Sequence, residues 1–295
     1  MNTKFLEKEF DYLKPATLNG ALEILAEKPN VKVFAGGTDL IVKCKTGAPV
    51  DMDYMLDINA IDELKAIASG DDGRLELFTN AKLSTIEKDE RVIKDYPALA
   101  AAIRAMASVS VRNMASIGGN FCNASPVADA VGPVMCYKGV LRLLSKRGER
   151  EVAAEDFFLA PGVSVLEKDE LFHAISLPAP AANTGSAFIK LGRVKSDIAK
   201  ISITVVIERD DERIADCRIA MGSIAAKPLL VADIGQSLAG KAVTQKLIDA
   251  TASEISAFIK PIDDNRTTAE YRTDVAKVIA QDAIAAAWKA SGGKL

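Results

Sequence analysis

The chain has 295 residues, 49% of them hydrophobic, and a formal net charge of −3. That length holds one large domain or two medium ones. The slight acidity argues against a general nucleic-acid binder, and no apolar run reaches the ~18 residues of a membrane span. The first residues, Met1 to Glu9, lack the apolar core of a secretory signal, so the chain is expected to be cytoplasmic.

The first periodic segment, Thr17 to Lys28, reads as an amphipathic helix with Thr17 as N-cap, Leu18, Leu22 and Leu25 on one face, and Pro29 as its stop. Val31 to Ala35 then reads as a short buried strand that runs into Gly36-Gly37, with Thr38 or Asp39 capping a helix from about Leu40. Leu64–Ala68 and Arg74–Thr79 form a predicted hairpin around Asp71-Asp72-Gly73. Tyr96 to Ala107 is Ala-rich and helical, whereas Ser108 to Ser125 has no clean period and contains the second doublet, Gly118-Gly119. A helix over Val127–Tyr137 follows, and Val140–Leu144 pairs with Glu151–Ala153.

Pro178 to Gly185 breaks both periods and reads as a linker. Beyond it, Ala187–Leu191, Ile201–Arg209 and Arg213–Met221 read as antiparallel strands, and Leu229–Leu238, Thr244–Ile259 and Thr268–Lys289 as helices. The expected fold class is α+β, and strands followed by helices suggest a separate C-terminal domain. The expected division is residues 1–178, in two parts of about 1–56 and 57–178, a linker over 179–185, and a domain over 186–295.

The four cysteines form no CxxC pair, which speaks against a zinc or iron–sulfur site held by this chain alone. The single histidine, His173, lies in an alternating segment and reads as a surface or edge residue, so redox chemistry would have to come from a bound cofactor. Gly235 to Ala242 is one residue short of a P-loop, with Ala242 where Ser or Thr should hold magnesium, and Gly240 reads instead as a helix-ending glycine.

The two glycine doublets carry most of the information. One lies in Val33-Phe34-Ala35-Gly36-Gly37-Thr38-Asp39-Leu40 and the other in Ser116-Ile117-Gly118-Gly119-Asn120. Each is expected to turn sharply at φ > 0 and offer consecutive N–H groups to an anion. A pair of such turns suggests a ligand with two phosphates, in its simplest form a dinucleotide cofactor. Asp129 reads either as an acceptor for nucleotide hydroxyls or as a solvated helix-start carboxylate. The basic Lys190 to Asp197 segment reads either as a cover for anionic cofactor groups or as an exposed loop.

Together with Ser125-Pro126, Pro133, Asp156-Phe157-Phe158, Arg193, Asp197-Ile198-Ala199 and Tyr271-Arg272, these residues resemble the medium, FAD-binding subunit of the molybdenum hydroxylases over nearly the whole chain. The resemblance implies a two-subdomain FAD-binding domain of the PCMH type followed by a C-terminal domain. It implies FAD held by Val33, Phe34, Ala35, Gly36, Gly37, Thr38, Asp39 and Leu40 and by Ser116, Ile117, Gly118, Gly119 and Asn120, with Met106, Asp129, Phe172 and Lys190 as further contacts. It places molybdopterin on a large partner subunit and [2Fe-2S] clusters on a small one, with NAD+, a quinone or a carrier protein as electron acceptor. No cysteine-rich insertion of the 4-hydroxybenzoyl-CoA reductase branch is present. The alternatives are a self-contained FAD-dependent reductase or oxidase of the cell-wall-precursor reductase type, and a flavin-free nucleotide- or CoA-binding scaffold.

Overall fold

The computed structural model describes residues 9–46, 48, 50–70 and 72–295. The expected hairpin residue Asp71 lies outside them. The chain begins with a parallel α/β unit. Strand β1 (Asp11–Leu13), helix α1 (Leu18–Glu27), β2 (Val31–Phe34), α2 (Leu40–Thr46) and β3 (Tyr54–Asp57) build a three-stranded parallel sheet in the order β1-β3-β2. The Thr17 hydroxyl caps α1 through the Gly20 N–H, and α1 packs Ala21 and Leu25 onto Leu56, Ile58, Ile61 and Leu64. The strand before the first glycine doublet is only half-buried, contrary to the sequence reading, and Val33 is 36% exposed. Its neighbour α2 buries no residue at all. The first glycine loop therefore sits on an open edge of the molecule.

The second unit is antiparallel. Strands β4 (Ile67–Ser69) and β5 (Leu75–Phe78) precede five helices, α3 (Leu83–Ile86), α4 (Glu90–Asp95), α5 (Pro97–Arg104), α6 (Val109–Met114) and α7 (Ile117–Cys122), and then α8 (Val131–Cys136). Strands β6 (Val140–Ser145), β7 (Gly148–Ala153), the small pair β8 (Phe158–Ala160) and β9 (Val163–Ser164), and β10 (Leu171–Leu177) complete it. The sheet order is β4-β5-β10-β6-β7, so β10 is central. His173 is thus not at an edge. It is half-buried next to a register shift, edge-on to Phe78, and burial, aided by Arg142, pushes its imidazole down to about 4. The helix expected over Val127–Tyr137 is confined to α8.

The C-terminal unit pairs β11 (Thr184–Leu191), β12 (Ile201–Asp210), β13 (Arg213–Gly222) and β14 (Leu229–Leu230) in sequence order, followed by α9 (Ala232–Gln236), α10 (Gln245–Phe258) and α11 (Ala269–Ala290). The helix expected over Leu229–Leu238 is split, because Leu229 and Leu230 pair with Met221 and Ala220 before α9 begins. Thr244 and Thr268 cap α10 and α11 through their hydroxyls. Gly240 has φ +76° and donates its N–H to the Ile214 carbonyl at 2.8 Å, which makes it a turn rather than a phosphate loop.

Strand β12 reads Ile201-Ser202-Ile203-Thr204-Val205-Val206-Ile207, and all seven residues are buried. The reason is that its sheet is covered on both faces. Ile201, Ile203, Val205 and Ile207 meet α10 and α11, while Val206 joins the core of the preceding unit. Arg218 ties the two units by donating to the Met135 carbonyl and to Glu155, and the Tyr137 hydroxyl bonds Ser186 at 2.7 Å. Gly185, assigned to the linker by sequence, is inside β11 and lies against the backbone of α11. A Cβ there would stand 2.2 Å from the Ala287 carbonyl. Gly185→Ala should therefore destabilise the C-terminal unit by about 2 kcal/mol or more, read as an earlier urea midpoint in the fluorescence of the single tryptophan, the buried Trp288.

Candidate functional site: a glycine cradle beside a buried ion pair

The two glycine motifs, far apart in sequence, meet. Gly36 lies against the end of α6, where a Cβ would be 2.2 Å from the Met114 carbonyl. Across the same seam the Asn123 amide donates to Asp39 at 3.2 Å and accepts from Lys43 at 2.6 Å. The first motif turns as expected: Gly37 has φ +68°, and a Cβ there would strike the Phe34 ring at 2.3 Å. Gly36, Gly37, Thr38 and Asp39 donate no main-chain hydrogen bond to any described residue, while the carbonyls of Gly37 and Asp39 accept the bonds that start α2. A run of four N–H groups with no main-chain acceptor among the described residues, on a half-exposed loop, is an arrangement that can accommodate an anion.

The second motif differs from the sequence reading. Gly118 and Gly119 are not a positive-φ turn; they follow Ile117 in the first turn of α7, with Ser116 as N-cap. Their N–H groups are already engaged. Ile117 donates to Ala81, Gly118 to Thr79, and Gly119 to the Ser116 hydroxyl at 3.1 Å. Gly118 is required for a different reason, because a Cβ would overlap the Thr79 hydroxyl at 1.8 Å. A Cβ on Gly119 would meet only Ser116 Oγ. The second motif is thus close-packed through its main chain, and the polar group it leaves unengaged is on the Asn120 side chain.

Asn120 donates to the Met106 sulfur at 3.7 Å, and its buried Oδ1 has no partner. Met106 belongs to a loop whose carbonyls hold two other residues. Arg112 takes those of Met106 and Ala107, and Lys190 takes that of Ala105 at 3.0 Å. Lys190, on β11, also bonds Asp129 Oδ2 at 2.6 Å, and both side chains are nearly inaccessible. Asp129 is therefore neither solvated nor at a helix start facing water. Burial pushes its carboxyl up to about 6, against the pull of the Lys190 ammonium. Its Oδ1 is buried without a partner. Arg193 and Asp197 instead form an exposed ion pair on the loop beyond.

Asn120 lies on α7, whose C-cap Asn123 bonds Asp39 of the first loop. Two buried acceptors without donors among the described residues, together with a run of N–H groups lacking main-chain acceptors, suit a ligand that combines an anion with hydroxyl or N–H donors. Ile117 is buried in the core. Leu40 is half-exposed at the start of α2. Phe172 does not line an open surface; its ring packs among Phe121 and Phe157, so it supports α7 from behind. Sequence reasoning missed Asn59, which donates to the Ala35 carbonyl at 2.8 Å and so holds the first loop in place. Asp57 orients that amide. Burial opposes its charge, yet the Tyr12 hydroxyl and Asn59 hold its pKa below the usual carboxylate range. An Asx turn signal at Asp57-Ile58-Asn59 is present in the sequence, but its partner is chosen by tertiary packing.

A parallel α/β unit, an antiparallel unit and a C-terminal sheet that converge on this cradle define an α+β protein built for a nucleotide cofactor. A family model described as the FAD binding domain in molybdopterin dehydrogenase matches residues 8–180, and one described as the CO dehydrogenase flavoprotein C-terminal domain matches residues 186–287. The chain is 29% identical over 286 residues to the xanthine dehydrogenase FAD-binding subunit of Escherichia coli O157:H7, covering 96% of this chain and 98% of the other. It is 31% identical over 287 residues to caffeine dehydrogenase subunit beta of Pseudomonas sp. (strain CBB1), covering 94% of each. The carbon monoxide dehydrogenase structure from Hydrogenophaga pseudoflava, solved without the Mo-pyranopterin moiety of its molybdenum cofactor, superposes with a TM-score of 0.92 at 29% identity, over 97% of this chain and 99% of that one. The chain belongs to the family of FAD-binding flavoprotein subunits of the molybdopterin dehydrogenases.

The ion pair gives a pH signature. Asp129 holds its proton in the native state between its ordinary pKa of about 4 and about 6, so its ionisation opposes folding in that window. The denaturation free energy of the apo-protein, taken as wild type minus Asp129→Asn, should shift against the wild type by up to about 3 kcal/mol as pH rises through the window, and stay flat above it.

Proposed function

We propose that this chain is the FAD-carrying electron-transfer subunit of a multi-subunit molybdenum hydroxylase. In this reading a large molybdopterin-binding subunit oxidises the substrate, a small [2Fe-2S] subunit relays the electrons, and this chain delivers them to NAD+, a quinone or a carrier protein. The observation that carries the reading is the run of N–H groups at Gly36–Asp39 with no main-chain acceptor among the described residues, together with the orphaned Asn120 and Asp129 oxygens. Those N–H groups would take the diphosphate of FAD, which needs hydrogen bonds from all sides once it leaves bulk water. Asn120 Oδ1 and Asp129 Oδ1 would accept from the cofactor's hydroxyl or N–H donors. Lys190 would position Asp129 rather than meet the cofactor's charge itself, since its ammonium is already engaged. Met106 and Ser116 would shape the groove between them.

Bound FAD would supply the redox chemistry, and this chain's side chains would orient it and exclude water. The match of residues 186–287 to the CO dehydrogenase flavoprotein domain weighs against both a self-contained reductase and a flavin-free scaffold.

The purified chain mixed with FAD should show protein-bound flavin absorption after gel filtration. Gly37→Val should abolish that retention while leaving the fold intact by circular dichroism, because a branched side chain is disfavoured at φ +68° and collides with Phe34. A wild-type chain that emerges free of flavin would overturn the reading. Co-purification of the chain with molybdenum- and iron-containing partners from its source cells tests the assembly.

A further inference from the structure

Free backbone amides supply hydrogen bonds but no net charge, and a diphosphate held in a partly dry groove calls for a cation. Lys190 is neutralised by Asp129 and Lys43 is held out on the surface by Asn123. Lys82 is placed differently. The bonds from the Ile117 N–H to Ala81 and from the Leu83 N–H to Ala115 set Lys82 directly opposite Ser116 in an antiparallel bridge. Residues so opposed project their side chains to the same face. The Lys82 ammonium then reaches Asn80 Oδ1 at 3.0 Å and Asn59 Oδ1 at 3.4 Å. Asn59 is the same side chain that grips the Ala35 carbonyl, immediately before Gly36. Lys82 is thus bridged through its backbone to Ser116 of the second motif and is one amide away from Ala35 of the first.

Its surroundings are those of a cation kept for an incoming anion. The side chain is half-buried and makes no ion pair among the described residues. Burial and the repulsion of Lys65 disfavour its charge, with only partial relief from Asp57, whose carboxylate is already occupied by Tyr12 and Asn59. Two neutral amides hold the ammonium in place without neutralising it.

We propose that Lys82 is the cationic contact for the cofactor's diphosphate, poised by Asn59 and Asn80 between the Gly36–Asp39 loop and Ser116. The proposal rests on the FAD-binding reading above and adds a residue that neither glycine motif contains. The full chain, stripped of flavin, is titrated with FAD at low and high salt and followed by flavin fluorescence. Lys82→Gln should weaken FAD binding by about tenfold at low salt and flatten its salt dependence, because the screened charge is gone. Lys82→Arg should keep most of the affinity and the salt dependence. Trp288 fluorescence melts check that each variant is folded. FAD binding by the wild type that is insensitive to salt, equal affinity in Lys82→Gln, or an equal loss in Lys82→Arg would overturn the role of Lys82 and leave the FAD reading standing. A wild-type chain that takes up no FAD would overturn both.

Discussion

The structure depends on one contact between two stretches of main chain. Gly36 approaches the Met114 carbonyl so closely that no side chain fits between them. This contact brings the open edge of the parallel unit against the α6–α7 segment of the antiparallel unit. The loop beyond Gly36 stays half-exposed, and its N–H groups find no main-chain acceptor among the described residues. The Asn123 bonds to Asp39 and Lys43 hold the same seam closed from the other side. The glycines of the second motif serve the same end. Gly118 lets α7 lie on Thr79, and Asn120 follows on the same helix, where its amide meets the Met106 sulfur.

Charge is distributed unevenly around this seam. At one end, Asp129 and Lys190 form a buried pair that spans the antiparallel unit and the C-terminal sheet. Removing two charges from water is costly, and a hydrophobic pair of similar size would often be as stable. The pair has a positional consequence instead: it fixes β11 against the Ala105 carbonyl and leaves one Asp129 oxygen free. At the other end the network Tyr12–Asp57–Asn59–Ala35 fixes the first loop. Polar groups therefore fix both ends of this seam, while the buried aromatic cluster of Phe121, Phe157, Phe158 and Phe172 packs behind α7.

Much of this was legible in the sequence, and the failures have identifiable causes. The capped helices α1, α10 and α11 are readable because Thr17, Thr244 and Thr268 mark their starts locally. Helix α7 is not, since two glycines near its start lower the helix propensity of Ile117–Cys122 and only Thr79 explains why they are there. The Leu229-Leu230 bridge strand is invisible to periodicity because its 2 residues are too few to show a period. His173 reads as an edge residue because alternation reports a strand but not its place in the sheet. Lys82 carries no motif at all, and the turn signal at Asp57-Ile58-Asn59 does not reveal that Asn59 reaches Ala35.

By itself the sequence determined the local features: the capped helices and most of the strands, that two glycine doublets stand in apolar settings, and that these residues together resemble one flavoprotein family. Those are properties of neighbouring residues, where propensity, capping and hydrophobic period act over a few positions. Only the tertiary structure decided which N–H groups remain free, that Asp129 is buried against Lys190, and which side chains meet between the motifs. Those outcomes depend on contacts between segments tens of residues apart, whose geometry no local pattern encodes.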